Sequence, residues 1–514
     1  MSGVGWSDSR IVGWGLSLAL LLSVYPTIRL SAQCPDGSSP PCRVAARPAA
    51  PASNSVAVLY FDNLSRDTAD AYLADGLTDE IITRLGQVER LTVKSGSAVR
   101  RFRGVATDDP AGLGRALGVA HLVTGSVRRI GRGLRVTVEL VRAATGVHVW
   151  GEQYDRGDAD VLAVEEAVSR AIVTGITGRL LPGERATLAS RPTASTEAFD
   201  HFLRGNHFLA QRVVARAVAE YEIAARLDPH FADALARSAL GYGLALDWDL
   251  YPGVPPDSVL ARGEAAAERA LQLNPRSSDA WMARGYLLSF RNPLSYEGGA
   301  EAFRQAIDLD PRSADAYQFR GTTLFELGDD SAAAEALHRA LAIDPLRPIT
   351  LTYLGRMEIM THRYSAALRW LDSALTVDPG FALALGHRLR VRLLQGDTTR
   401  ARGDAQVLAG MGVNDLGLTA SALALLEARA GDTLAARARL DRELGTSAVG
   451  GLGYRRAGWL AMGLVAAGET ERALGLLEGL RPSRRLWDVL RYPEFDAIRS
   501  NPRLQRLVEA SRPR

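Results

Sequence analysis

Five aspartates, Asp62, Asp67, Asp70, Asp75 and Asp79, fall within one short stretch, and carboxylates so crowded are the raw material of a metal site or a general acid–base pair. Their neighbours favour a structural account. Asp62 with Asn63 fits a turn and a helix amino cap, and Asp75 and Asp79 stand one helical turn apart on a solvated face. His121 opens a β-branched run and reads as a packed histidine. Gly112 and Gly114 lack a third glycine and follow no strand-to-helix turn, and GxxxxGK[ST], HRD with DFG, HExxH and a nucleophile elbow are all missing. The reading is therefore non-enzymatic, with no catalytic residue, no metal and no cofactor. The alternative kept beside it is an envelope hydrolase or nucleotide-binding enzyme built on the amino-terminal α/β segment.

The two cysteines, Cys34 and Cys42, sit in CPDGSSPPC. Two thiols so close would pair in an oxidising compartment, and the other reading leaves both free. The compartment follows from Ile11–Tyr25, fifteen uncharged residues after Arg10, the layout of a signal peptide or short signal anchor. Leu30 and Gln33 fit a cleavage site poorly, so cleaved and uncleaved forms both stand; acylation of Cys34 is a third reading, against which Leu30 stands four residues before the cysteine and Gln33 is large where a small residue is wanted. The expected location is extracytoplasmic, in the periplasm or cell envelope. RVAARPAAPASNS then reads as a solvated linker.

From Val56 the pattern is α/β. VAVLYF suits a strand covered on both faces, and Thr68–Gly86 is helical with Leu73, Leu77, Ile81, Ile82 and Leu85 in phase. A short strand at Leu91–Lys94 and a helix at Pro110–Leu117 follow. Then come three strand candidates, His121–Ile130, Leu134–Ala143 and Val147–Tyr154, the middle one alternating strictly, and a helix over Ala159–Leu181. The pieces FDNLS, ADGLTDEI, GSVRR, TGVHVW and YDR, in that order, resemble the TolB amino-terminal-like (FlgO-related) domain. That resemblance implies a mixed sheet packed by helices and a module without catalysis of its own. Relatives often carry an effector module in front; only ten residues precede the apolar segment, and none is carried over.

Downstream, Pro229, Pro275, Pro311, Pro345 and Pro379 each follow Asp or Asn, the last three 34 residues apart. Small, large and small residues recur before the proline, as Ala333, Leu337 and Ala340 or Ala217, Tyr221 and Ala224, with Gly205, Gly321 and Gly355 further back. This is the tetratricopeptide (TPR) signature: close-packed helical hairpins, each stopped by proline. Insertions are expected at 247–258 and near 291–293, and degenerate hairpins from Ala384 to Leu480. Trp487, Tyr492 and Phe495 are expected to seal the last face. The fold class is thus a small α/β domain followed by an all-α TPR superhelix. Its segments are 1–33 signal peptide or anchor, 34–55 linker, 56–181 TolB-like domain, 195–480 superhelix and 481–514 capping segment.

A TPR superhelix lines its concave face with the first helix of each pair and binds protein or peptide there. Arg204, Asn206, Arg284, Arg320 and Arg356 are the candidate peptide-binding residues, with His201 and Glu358 beside them; Trp281 and Tyr317 read as packing. Composition agrees with a protein partner. Of 61 basic residues all but Lys94 are Arg, but 58 acids are interspersed and the net charge is only +3, so no nucleic-acid partner is expected. The expected function is an exported or membrane-tethered scaffold in envelope assembly or signalling.

Overall fold

The structure is a computed structural model that describes residues 51–512 apart from 68–69, 105–107, 132, 158–159, 249, 251–253, 292–296, 412–416 and 446–452. The expected export segment at 11–25 and the pair Cys34 and Cys42 lie outside the described residues. Among the described residues, no helix is long and apolar enough to cross a membrane.

Among the described residues six strands form one mixed sheet: β1 (Ser55–Val58), β2 (Asp62–Asn63), β3 (Thr92–Val93), β4 (His121–Ile130), β5 (Gly133–Arg142) and β6 (Val147–Arg156), in the order β3-β1-β4-β5-β6 with β2 also on β4. β1 runs parallel to β3 and β4, while β4, β5 and β6 are antiparallel. Five helices accompany the sheet: α1 (Ala71–Gly86), α2 (Gly96–Arg100), α3 (Pro110–Leu117), α4 (Val161–Thr177) and α5 (Pro182–Ala189). The continuous apolar run at β1 is explained by cover on both faces. Val56 and Val58 join Leu77 and Ile81 of α1 and Val168 of α4 on one side, and Ala57 and Leu59 join Val99, Leu113 and Leu117 on the other. The alternating residues Leu134, Val136, Val138 and Leu140 of β5 are all buried in the first of these layers.

Eight helical hairpins follow among the described residues. They are α6 (Thr196–Ala210) with α7 (Val214–Leu227), α8 (Ala232–Asp247) with α9 (Pro256–Leu273), α10 (Ser278–Arg291) with α11 (Glu297–Leu309), and α12 (Ala314–Glu326) with α13 (Asp330–Ile343). The rest are α14 (Pro348–Met360) with α15 (Tyr364–Val377), α16 (Ala382–Leu394) with α17 (Thr398–Met411), α18 (Leu418–Arg429) with α19 (Thr433–Gly445), and α20 (Tyr454–Ala466) with α21 (Thr470–Glu478). The chain ends in α22 (Arg484–Leu490), a 3-10 turn at Pro493–Ile498 and α23 (Pro502–Ser511).

The Asp-Pro punctuation has a direct physical cause. Asp228 Oδ1 accepts the amide of His230 at 2.9 Å, and Asn274, Asp310, Asp344 and Asp378 accept from Arg276, Arg312, Leu346 and Gly380 at 3.1, 3.0, 3.3 and 3.0 Å. Each is an Asx turn folded over a proline that has no N–H to continue the helix. Inside a hairpin the small residues permit contact: a Cβ on Gly205 would stand 2.4 Å from the Tyr221 ring, and one on Gly321 2.8 Å from Leu337. Ala217, Ala224, Ala333 and Ala340 are fully buried in the same seams. The α/β domain closes the first hairpin, because Phe199, Phe202 and Leu203 of α6 belong to one core with α1 and α4. Gly76 of α1 lies directly on Leu203.

Candidate partner-binding face

The first helices of successive hairpins stack on one another, α8 on α10, α10 on α12, α12 on α14 and α14 on α16. Asp233, Asp279 and Asp315 are the second residues of α8, α10 and α12, where an acid also suits the amino-terminal helix dipole. Arg237 meets Asp279 at 2.9 Å, and Arg347 reaches both Asp315 and, at 2.8 Å, Gln318. These pairs are wetted: the Asp279 and Asp315 side chains keep 40% and 48% exposure. Glu80 of α1 faces the same place and accepts from Asn206 at 3.3 Å. Acids outnumber bases here. Burial, with Asp279 adding to it against Arg237, pushes Asp233 up to about 6, and burial together with Glu165 and Asp233 pushes Glu80 well above the usual range.

Further along the array the same inner face is dry and occupied by the chain's own end. α22 lies on α12 and α20, and the 3-10 turn lies on α20. Arg485 of α22 donates to Asp247 Oδ1 at 2.9 Å, Glu326 Oε2 at 2.5 Å and Ser289 Oγ at 2.9 Å. Arg455 pairs with Asp247 at 2.7 Å and with Glu326, which also accepts from the Tyr353 hydroxyl at 2.6 Å. Arg356 donates to the Tyr492 hydroxyl at 2.8 Å and to Asp488 at 3.1 Å, while Arg390 donates to Glu494 at 2.7 Å and lies 4.5 Å above the Tyr492 ring. His387 stacks on that ring at 6.4 Å. Four guanidiniums thus meet the four carboxylates of Asp247, Glu326, Asp488 and Glu494. Of these groups Asp247, Glu326, Arg455, Arg485 and Asp488 line a cavity of about 30 Å³. Burial alone would raise Glu326, but Arg455, Arg485 and Arg356 hold it below the ordinary carboxylate range. Burial, then Arg390, Arg356 and Arg455, drive His387 well below its ordinary value.

The five residues singled out from the sequence do not form one exposed row. Arg204 pairs with Asp200 at 2.8 Å and lies over Tyr72 of α1, and Asn206 is held between the Tyr221 hydroxyl and Glu80, so both serve the junction with the α/β domain. Arg284 is exposed over the Trp281 ring, and Arg320 is half-buried without a side-chain partner among the described residues. Arg356, expected on an open groove, is only 3% exposed. It does line the inner face, and the carboxyl-terminal segment covers it. His201 is taken by Glu220 and Glu358 by Arg363, while Trp281 and Tyr317 are half-buried. In the α/β domain Asp70 pairs with Arg129, Asp75 with Arg103 and His207, and Asp79 accepts from Tyr60. Among the described residues no group of His, Cys, Asp and Glu is arranged to hold a metal ion. Asp247, Glu326, Arg390, Arg455, Arg485, Asp488 and Glu494 were not singled out. Their signal is a charged residue embedded in an apolar helical run, as Asp247 is in LALD and Glu326 in LFEL.

A 34-residue period of small-large-small hairpins, closed by Asx turns at proline, makes the helical part a tetratricopeptide array, a class that binds proteins and peptides. No family model matches the chain. Among curated proteins it is similar to "Putative adenylate cyclase 3" of Rhizobium meliloti (strain 1021), 38% identical over 178 residues, 34% of this chain and 30% of that protein. The match thus spans under a third of that relative's length. Among solved structures it is similar to PilF of Pseudomonas aeruginosa (16% identity, TM-score 0.33, 41% of this chain and 91% of that one). It is also similar to a thermophilic TPR protein of Thermus thermophilus (20%, 0.32, 38% and 96%) and to human IFIT1 with a capped RNA (14%, 0.42, 62% and 84%).

Proposed function

We propose that this chain is a non-enzymatic scaffold of the cell envelope, exported or membrane-tethered, that holds protein partners on its TPR array. The observation that carries the reading is recognition already present within the molecule. Residues from α8, α10, α12, α14 and α16 read a short segment of chain by side-chain identity, through paired charges and a stacked tyrosine. A face that does this for Ser483–Ile498 has the chemistry to do it for a partner. The wetted end, with Asp279, Asp315 and Arg237, is a second surface open to the same use. The α/β domain is assigned to the TolB amino-terminal-like class on its ordered sequence pieces, of which FDNLS supplies β2 and its turn and GSVRR lies within β4. Placement in the envelope rests on the apolar stretch at 11–25.

The test is capture of envelope proteins on the immobilised full chain, compared with Asp279→Arg/Asp315→Arg. A specific partner supports the scaffold, and a change in its retention with this variant assigns it to the wetted surface; no specific partner counts against it. Residues 195–514 alone are unsuited as bait, because removing α1 and α4 bares Phe199, Phe202 and Leu203. A second reading, an enzyme built on the α/β domain, draws on the cyclase name of the bacterial relative. Incubation of the full chain with ATP and a divalent cation yields cyclic AMP under that reading and none under the first.

A further inference from the structure

Ser483–Ile498 crosses the inner face as a cap that is wired by charge as well as by apolar contact. Leu486, Leu490, Tyr492 and Phe495 are each at most 1% exposed and anchor it. Between the anchors, however, its polar groups pair with residues far away in sequence: Arg485 with Asp247, 238 positions back, Asp488 with Arg356, 132 positions back, and Glu494 with Arg390, 104 positions back. A cap needed only for solubility is better made of apolar side chains, since taking ion pairs out of water costs several kcal/mol per ion and recovers it only with full hydrogen bonding. Hydrogen bonding is not full. Arg356 Nη1, which stands 3.9 Å from Glu326, Arg485 Nε, Arg455 Nη1 and Nε, His387 Nε2 and Glu494 Oε2 are all buried without a hydrogen-bond partner among the described residues, and Arg455 and Arg485 among them border the cavity of about 30 Å³. The best-attested use of buried charge of this kind is to set register and selectivity.

We infer that Ser483–Ile498 is a built-in ligand of the array, and that the inner face of α8 to α16 binds in its place a partner segment with the same chemistry. That chemistry is a cation, a carboxylate three residues on, and an aromatic-x-carboxylate after it, matching Arg485, Asp488, Tyr492 and Glu494. The inference rests on the scaffold reading and adds to it the partner's pattern and a closed resting state. In that state Asp247 and Glu326 are the selectors for the cation, and Arg356 and Arg390 those for the two carboxylates. A partner must displace the resident segment, so its apparent affinity is reduced by the small fraction of time the segment is open.

Hydrogen exchange on the full chain tests this. Amides of Leu486–Phe495 are expected to exchange at least tenfold faster than those of α14 and α16, through an opening that leaves those helices protected. Asp488→Asn/Glu494→Gln in the full chain is expected to speed the segment's exchange a further tenfold. A synthetic peptide of residues 483–498 should then bind this variant and not the unaltered chain, and adding Arg390→Met should abolish that binding. Exchange of the segment in step with α14 and α16 makes it permanent core and overturns the inference, as does failure of the peptide to bind a variant whose segment has opened. If the double variant does not fold, the comparison of rates in the unaltered chain decides alone. Uniform exchange alongside a captured envelope partner sinks this inference and spares the scaffold; a mobile segment with no envelope partner does the reverse.

Discussion

The two ends of the inner face carry charges in similar number and use them differently. At α8 to α12 the aspartates at the helix starts stay wet, and of their arginines Arg237 keeps 29% exposure; from Asp247 and Glu326 onward the same helices bury their charges against the returning carboxyl terminus. Water makes the first set weak and forgiving, and its exclusion makes the second strong, costly and dependent on every partner. One end therefore suits transient contact and the other a committed, sequence-reading contact.

That contrast is broken most directly by removing one acid from each end. Glu326→Ala strands Arg455 and Arg485 in a dry site and is expected to destabilise the protein by about 3–5 kcal/mol in urea unfolding of the full chain. Asp315→Ala, across the same helix α12 but 48% exposed, is expected to cost about 1 kcal/mol or less. Equal effects would mean that the inner face has one electrostatic character, not two. A purely steric change is of intermediate size: Gly205→Ala drives a methyl into the Tyr221 ring and should cost about 1–3 kcal/mol, whichever way the charges are arranged.

Acid sharpens the same comparison. His387 is held neutral in the fold, with its folded value far below the unfolded one of about 6.5. Below that pH the unfolded chain takes up a proton that the folded chain refuses, so stability falls as pH drops from about 6.5. Glu326 is shifted the other way relative to its charge: its carboxylate is favoured by the fold, so its contribution is present above the unfolded value of about 4.3 and is lost as pH falls towards the folded one. Two acid-labile steps are expected at the dry end, and His387→Asn should remove the first while leaving the second. Asp233 at the wetted end runs opposite. Raised to about 6, it weakens the fold as pH climbs from about 4 to 6, so Asp233→Asn should raise the midpoint of thermal unfolding at neutral pH.

Much of this architecture is legible in the sequence because its causes are local. Asp-Pro pairs announce Asx turns, Gly205 and Tyr221 announce a close helix pair, and the alternation in β5 announces a half-covered strand. The five-residue α2 is too short to show a period, and α5 buries only Leu188, so it carries no apolar stripe. The dry network is illegible for a different reason: whether Arg485 meets Asp247 depends on the summed rotation of every hairpin between them, and no window of sequence contains that sum. Arg356 shows the consequence. Its position in the hairpin correctly implies the inner face, but whether that face is open is decided by residues more than a hundred positions away.

The smallest effect concerns the turn inside each hairpin, and it separates a residue that only tolerates strain from one that uses it. Among the described residues four of these turns place glycine at positive φ, Gly328, Gly396, Gly431 and Gly468, between 78° and 87°. Arg212 and His362 occupy the same position at 63° and 57°, a left-handed conformation that costs a side-chain-bearing residue about 1 kcal/mol. The His362 side chain is 54% exposed and, among the described residues, pairs with Tyr364 and, at 3.7 Å, Asp496. His362→Gly should therefore stabilise the chain by up to about 1 kcal/mol. Arg212 instead lays its guanidinium 4.1 Å from the centre of the Phe381 ring, joining the first hairpin to the start of α16. Relief of strain in Arg212→Gly is then offset by loss of a cation–π contact of about 0.5–1 kcal/mol or more, and a net change near zero is expected. Equal stabilisation by the two glycines would show that the bridge from the first hairpin to α16 contributes nothing to stability.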